Sequence, residues 1–113
     1  MSGPIRTVTI ALVVVYAAAV AYHSGLLVPS GTLTAAAIAE GLLGLVLVAL
    51  LVGLIRSALA AYAIVLAGTL FGLSIVIARG LFGLDLAIHI VMLVGPGIGL
   101  ALIRRERGAA PSA

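Results

Sequence analysis

A-L-A-A-Y-A-I-V-L-A-G-T-L-F-G-L-S-I-V-I-A, residues 58–78, runs for twenty-one positions without one charged side chain. At about 1.5 Å per helical residue it reaches roughly 30 Å, the thickness of a bilayer's hydrocarbon layer. It is far too long for a strand and apolar on every side, which is the pattern of a helix surrounded by lipid. Three further runs of this kind lie around it, at about Ile5 to Leu27, Leu33 to Leu54 and Asp85 to Ile103. The breaks between them, V-P-S-G-T at 28–32, I-R-S at 55–57 and R-G-L-F-G at 79–83, carry turn-forming residues. Connections this short turn neighbouring helices antiparallel. The expected fold is therefore all-α: a single-domain antiparallel bundle of four transmembrane helices over 1–103. The remainder, 104–113, reads as a basic, disordered cytoplasmic tail.

Composition agrees with the spans. Of 113 residues, 65% are hydrophobic and 8% charged, with a mean hydropathy of +1.44, so a water-facing coat cannot be built and the partner is the lipid bilayer. The net charge of +3 does not point to nucleic acid, because the six basic residues form no continuous face and no aromatic platform accompanies them. Cysteine is absent, which removes thiolate metal sites and cysteine nucleophiles. No G-x-S-x-G, H-E-x-x-H or phosphate-loop motif is present, and no enzymatic activity is expected.

Arginine placement sets the expected orientation. Arg104, Arg105 and Arg107 form the densest positive cluster, and such clusters stay cytoplasmic. Four spans then put the N-terminus with Arg6 inside as well, along with the Arg56 turn, leaving Arg79 outside. The chain reads as a multi-pass protein of the cell membrane with both termini cytoplasmic. A competing reading takes the first run, with Ala19-Val20-Ala21 as a cleavage site, as a signal peptide; its length favours a retained span. An offset of 50 residues aligns Ile5-Arg6-Thr7 with Ile55-Arg56-Ser57, which suggests two related hairpins.

Polar residues inside such spans are the place to look for chemistry. Asp85, His89, Met92, Pro96, Gly99 and Ile103 follow the spacing of one helical stripe, with Val91, Val94 and Ile98 on the lipid side. Pro96 has no N–H to give the Met92 carbonyl, and Gly95, Gly97 and Gly99 leave room for a neighbour beside this expected kink. Glu40 lies about eight residues into the second span, on the side of Ala37, Gly41 and Gly44. The topology brings His23, Glu40, Arg79, Asp85 and His89 into the outer half of the bundle, leaving the inner half apolar. A buried polar cluster of Glu40, His89 and Asp85 is expected, with a direct or water-bridged Glu40–His89 contact. The plainer readings make Asp85 the N-cap of the fourth helix, His23 an interfacial residue and Arg79 a snorkelling side chain or a partner of Asp85.

Small residues mark packing faces: Gly41 and Gly44 on the second span, Gly68 and Gly72 on the third, Gly95 and Gly99 on the fourth. These serve the bundle itself or association into a homo-oligomer or larger membrane complex. Three functions fit. The first is a non-enzymatic accessory or assembly subunit, or a self-associating bundle, with no cofactor. The second is a redox or metal module in which His89 and His23 ligate haem b, or join Glu40 around a divalent ion. The third is a proton-coupled small transporter that uses Glu40 and His89. The accessory reading leads, because the inner half offers no evident polar path.

Overall fold

The computed structural model describes residues 1–26 and 34–109, and among these the regular structure is all helix, with no strand. Four helices follow in order: α1 (Gly3–His23), α2 (Thr34–Leu51), α3 (Ala58–Ala78) and α4 (Leu84–Ala109). Each is long and apolar enough to cross a membrane. α1 packs on α2 and α4, and α3 on the same two, so α1 and α3 face each other across a diagonal. The V-P-S-G-T connection and residues 110–113 lie outside the described residues.

Local signals explain where the helices begin and end. Ser2 caps α1 by accepting the Ile5 N–H at 3.4 Å, with a proline in the first turn, and Ser57 caps α3 by accepting the Ala60 N–H at 3.1 Å. The first three helices all stop at a Gly-Leu pair. Gly25, Gly53 and Gly80 adopt positive φ, and the leucine after each donates its N–H five residues back, Leu26 to Ala21, Leu54 to Ala49 and Leu81 to Val76. These caps end α1 and α2 earlier than the hydropathy runs did, at His23 and Leu51 instead of 27 and 54. α4 departs the other way. It continues past the end of the hydropathy run at Ile103, through Arg104, Arg105, Glu106 and Arg107 to Ala109. Its twenty-six residues span about 39 Å, more than the hydrocarbon layer, so the arginine turn emerges beyond it.

Polarity is inverted relative to a water-soluble bundle. Thr9, His23, Glu40, Thr69 and His89 are buried, while large aliphatic side chains such as Val14 (64% exposed) and Leu45 (62%) face outward. Only a lipid exterior makes this arrangement favourable, so the protein is a multi-pass membrane protein. The stripe on α4 turns inward as its spacing required: His89, Met92, Pro96, Gly99 and Ile103 are buried, and Val91, Val94 and Ile98 are exposed.

Glycines allow the close approach of these helices. A Cβ on Gly95 would clash with the Leu12 side chain, and one on Gly99 with the Tyr62 ring. Gly68 accommodates Leu43, and Gly72 lies against His89. Gly41 and Gly44 meet Val20 and Tyr16 at ordinary contact distance, whereas Gly97 faces open space.

Hydroxyl pairs tie α1 to α3 across the diagonal. Tyr62 donates to Thr9 at 2.7 Å, and Thr9 passes its own hydrogen to the Ile5 carbonyl at 2.7 Å. Two turns further along α1, Tyr16 Oη lies 2.7 Å from Thr69 Oγ1 and 3.1 Å from the Met92 carbonyl. That carbonyl is the one Pro96 leaves without a helical donor, so the Tyr16 hydrogen belongs there. Thr69 then donates to Tyr16, and Val65 O, 2.8 Å from the Thr69 hydroxyl, keeps its own backbone donor. The half of the bundle that carries the α1 N-terminus therefore holds a buried Thr9–Tyr62 pair, where the sequence predicts an almost purely apolar interior. The two pairs share an offset of 53 residues, which differs from the 50-residue offset of the proposed hairpin repeat.

Candidate functional site

The end of the bundle that carries the α3–α4 turn gathers one residue from the end of α1, one from early α2 and two from the start of α4. His23, the last residue of α1, is 1% exposed and engages both of its ring nitrogens. Nδ1 lies 2.8 Å from Glu40 Oε2, and Nε2 lies 2.5 Å from Asp85 Oδ1. His89 donates Nδ1–H to the Asp85 backbone carbonyl at 2.8 Å. A carbonyl can only accept, so the proton sits on Nδ1, and in the neutral ring Nε2 keeps a lone pair. The two imidazoles are 6.0 Å apart, centroid to centroid.

Proton counting fixes the charge of this array. Each His23 hydrogen bond contains one proton, on whichever atom it rests. Two carboxylates and an imidazole ring holding two shared protons carry a net charge of −1. One acceptor is left over. Glu40 is 4% exposed, and its Oε1 is the buried side-chain nitrogen or oxygen without a hydrogen-bond partner among the described residues. A lone buried acceptor of this kind costs about 1–3 kcal/mol, more when charged, unless a proton or ligand occupies it.

Above the array is a chamber of about 460 Å³ between α2, α3 and α4. Its walls are mainly apolar, from Ala35, Ala39, Leu43, Phe71, Ile75 and Met92, and its polar surface comes from Glu40, His23, Asp85, His89, Thr69 and Arg79. This volume suits a small organic ligand.

The expected cluster of Glu40, His89 and Asp85 thus lines one chamber, but its centre is different. Glu40 bonds His23, and the expected direct Glu40–His89 bond is replaced by this contact and by His89 binding the Asp85 carbonyl. His23 is no interfacial ornament: it lies where α1, α2 and α4 meet. Asp85 is not the N-cap either. α4 begins at Leu84, and the Asp85 carboxylate reaches sideways to His23. Arg79 lines the chamber from the exposed end of α3, and among the described residues the side-chain ion pairs are the two made by His23. The four hydroxyls beneath were missed, although Thr9 and Tyr16, like Tyr62 and Thr69, are seven residues apart and so share a helix face.

These donors do not fit a haem or a divalent ion. Both His23 nitrogens are bonded to carboxylates, which leaves no axial pair with His89. Among the described residues no three His, Asp or Glu side chains converge as metal ligands. No family model, curated protein or solved structure matches this chain, so its chemistry rests on these residues alone.

Proposed function

We propose that this membrane protein is a non-enzymatic, proton-coupled carrier of a small molecule, with the His23–Glu40–Asp85 array as its exchange site. The observation that carries this is Glu40 Oε1, a buried oxygen with no hydrogen-bond partner among the described residues, on a side chain that lines a chamber large enough for cargo. A proton on Oε1 brings the array from −1 to neutral, and a cation beside Oε1 does the same. Proton and cargo therefore exclude one another, which is the elementary requirement for coupling them. His23 bonds Glu40, Asp85 and His89 from α4 and Arg79 at the end of α3 line the same chamber, and Tyr16 of α1 lines the groove on the other side of Glu40.

The accessory or self-associating reading drew on glycine faces. Gly68, Gly72, Gly95 and Gly99 receive side chains of their own chain, so packing within the bundle already accounts for them. That reading also gives no reason for a chamber beside a carboxylate with one oxygen lacking a partner among the described residues. In this proposal the arginine-bearing ends of α1 and α4 face the cytoplasm and the chamber opens on the opposite side.

The test needs no knowledge of the cargo. The protein is reconstituted on a solid-supported membrane and the chamber side is stepped to lower pH. Protonation of a buried site within the bilayer moves charge, so a brief capacitive current is expected in the wild type and is lost in Glu40→Gln. No protein-dependent current, or the same current in Glu40→Gln, overturns the reading.

A further inference from the structure

Resting on the carrier reading, we infer that the chamber takes a small organic ammonium bearing N–H groups on an apolar body, bound through Glu40 Oε1 and His89 Nε2. The argument begins with unfilled acceptors. Oε1 of Glu40 has no partner among the described residues, and Glu40 is buried. His89 has its Nδ1 proton committed to the Asp85 carbonyl, so Nε2 presents a lone pair, and both side chains line the same chamber. A group that fills both positions must be a donor at each. Protonated primary and secondary amines offer two or more N–H bonds from one atom, and their charge cancels the −1 of the array.

Other cations fit less well. An inorganic ion would shed its water into a chamber whose walls are largely alanine, leucine, isoleucine and phenylalanine, with no set of three side-chain ligands among the described residues to replace it. A quaternary ammonium carries the charge but no N–H, and leaves both lone pairs unpaired. An anion meets the array's negative charge, and Arg79 is at the exposed rim, where solvent screens it. The apolar walls supply the remaining affinity by covering the hydrocarbon part of the amine.

The source of the ammonium is either a free amine or the headgroup of an ethanolamine phospholipid entering from the outer leaflet. One experiment separates these. The protein is placed in nanodiscs of pure phosphatidylcholine, and benzylamine, benzyltrimethylammonium and benzyl alcohol are titrated in by calorimetry. Benzylamine is expected to bind about tenfold or more tightly than either analogue, since only it combines charge with N–H donors. Glu40→Gln is expected to weaken it by a similar factor. Ala39→Leu, which fills the chamber without touching a charge, is expected to abolish binding even if Glu40→Gln folds poorly. Repeating the titration with phosphatidylethanolamine in the disc assigns the source: displacement of benzylamine points to the headgroup, unchanged binding to a free amine, and both support the ammonium assignment. Equal affinity for benzylamine and benzyltrimethylammonium, or benzylamine binding unaffected by Ala39→Leu, overturns it. If the pH-step current persists while benzylamine fails to bind, the ammonium assignment alone falls. If benzylamine binds but no current is seen, the carrier reading falls and the chamber is a receptor site.

Discussion

His23 holds together two carboxylates that would otherwise repel each other inside a membrane. Removing its ring leaves buried Glu40 and half-buried Asp85 without a shared proton donor, a loss approaching the ~3–5 kcal/mol that deleting one partner of a buried ionic contact costs. His89→Ala removes only one hydrogen bond to a carbonyl that already has its helical donor, worth about 1 kcal/mol. Thermal unfolding in detergent should therefore show a much larger drop for His23→Ala than for His89→Ala, and the reverse order would contradict the geometry. The sequence ranks these two histidines oppositely. His89 lies more than a turn inside its span and attracts suspicion, whereas His23 sits at a helix end where polar rings are common. What makes His23 central is the meeting of three helices, and helix-end position says nothing about that.

Each helix shows a different balance between pattern and context. The inward stripe of α4 follows from spacing alone, because an apolar helix carrying a 4-3 series of small and polar residues has one tight face. The end of each of the first three helices depends instead on a Gly-Leu cap, which hydropathy does not register because leucine continues the apolar run. The hydroxyl pairs were hidden for a related reason: threonine and tyrosine are mild enough to pass as ordinary span residues until their partners are known. One of these pairs gives a direct test. If Tyr16 serves the Met92 carbonyl because Pro96 cannot, Tyr16→Phe should cost about 1 kcal/mol in the wild type. In a Pro96→Ala background, where residue 96 regains its N–H, the same change should cost clearly less. Equal costs in the two backgrounds would show that Tyr16 and Pro96 act independently.

At the scale of the whole molecule, antiparallel packing puts Arg6, Arg56 and the Arg104–Arg107 turn at one end and Arg79 at the other. The chain contains no cysteine, so single cysteines can report the two faces without background. Ser57→Cys should react with an impermeant maleimide only from the cytoplasmic side, and Phe82→Cys only from the opposite side. Labelling of both from one side would break the four-span topology, and a reversed pattern would invert the proposed orientation. The bond between His23 and Glu40 joins residues of the first hairpin, only 17 positions apart, while Asp85 arrives from the last helix. During synthesis the first hairpin leaves the ribosome before the second. The acid of α2 thus enters the membrane with its base already delivered by α1, and the second acid finds that base waiting. The polar centre can be built in two steps, and at neither step does a carboxylate have to cross into lipid without a partner.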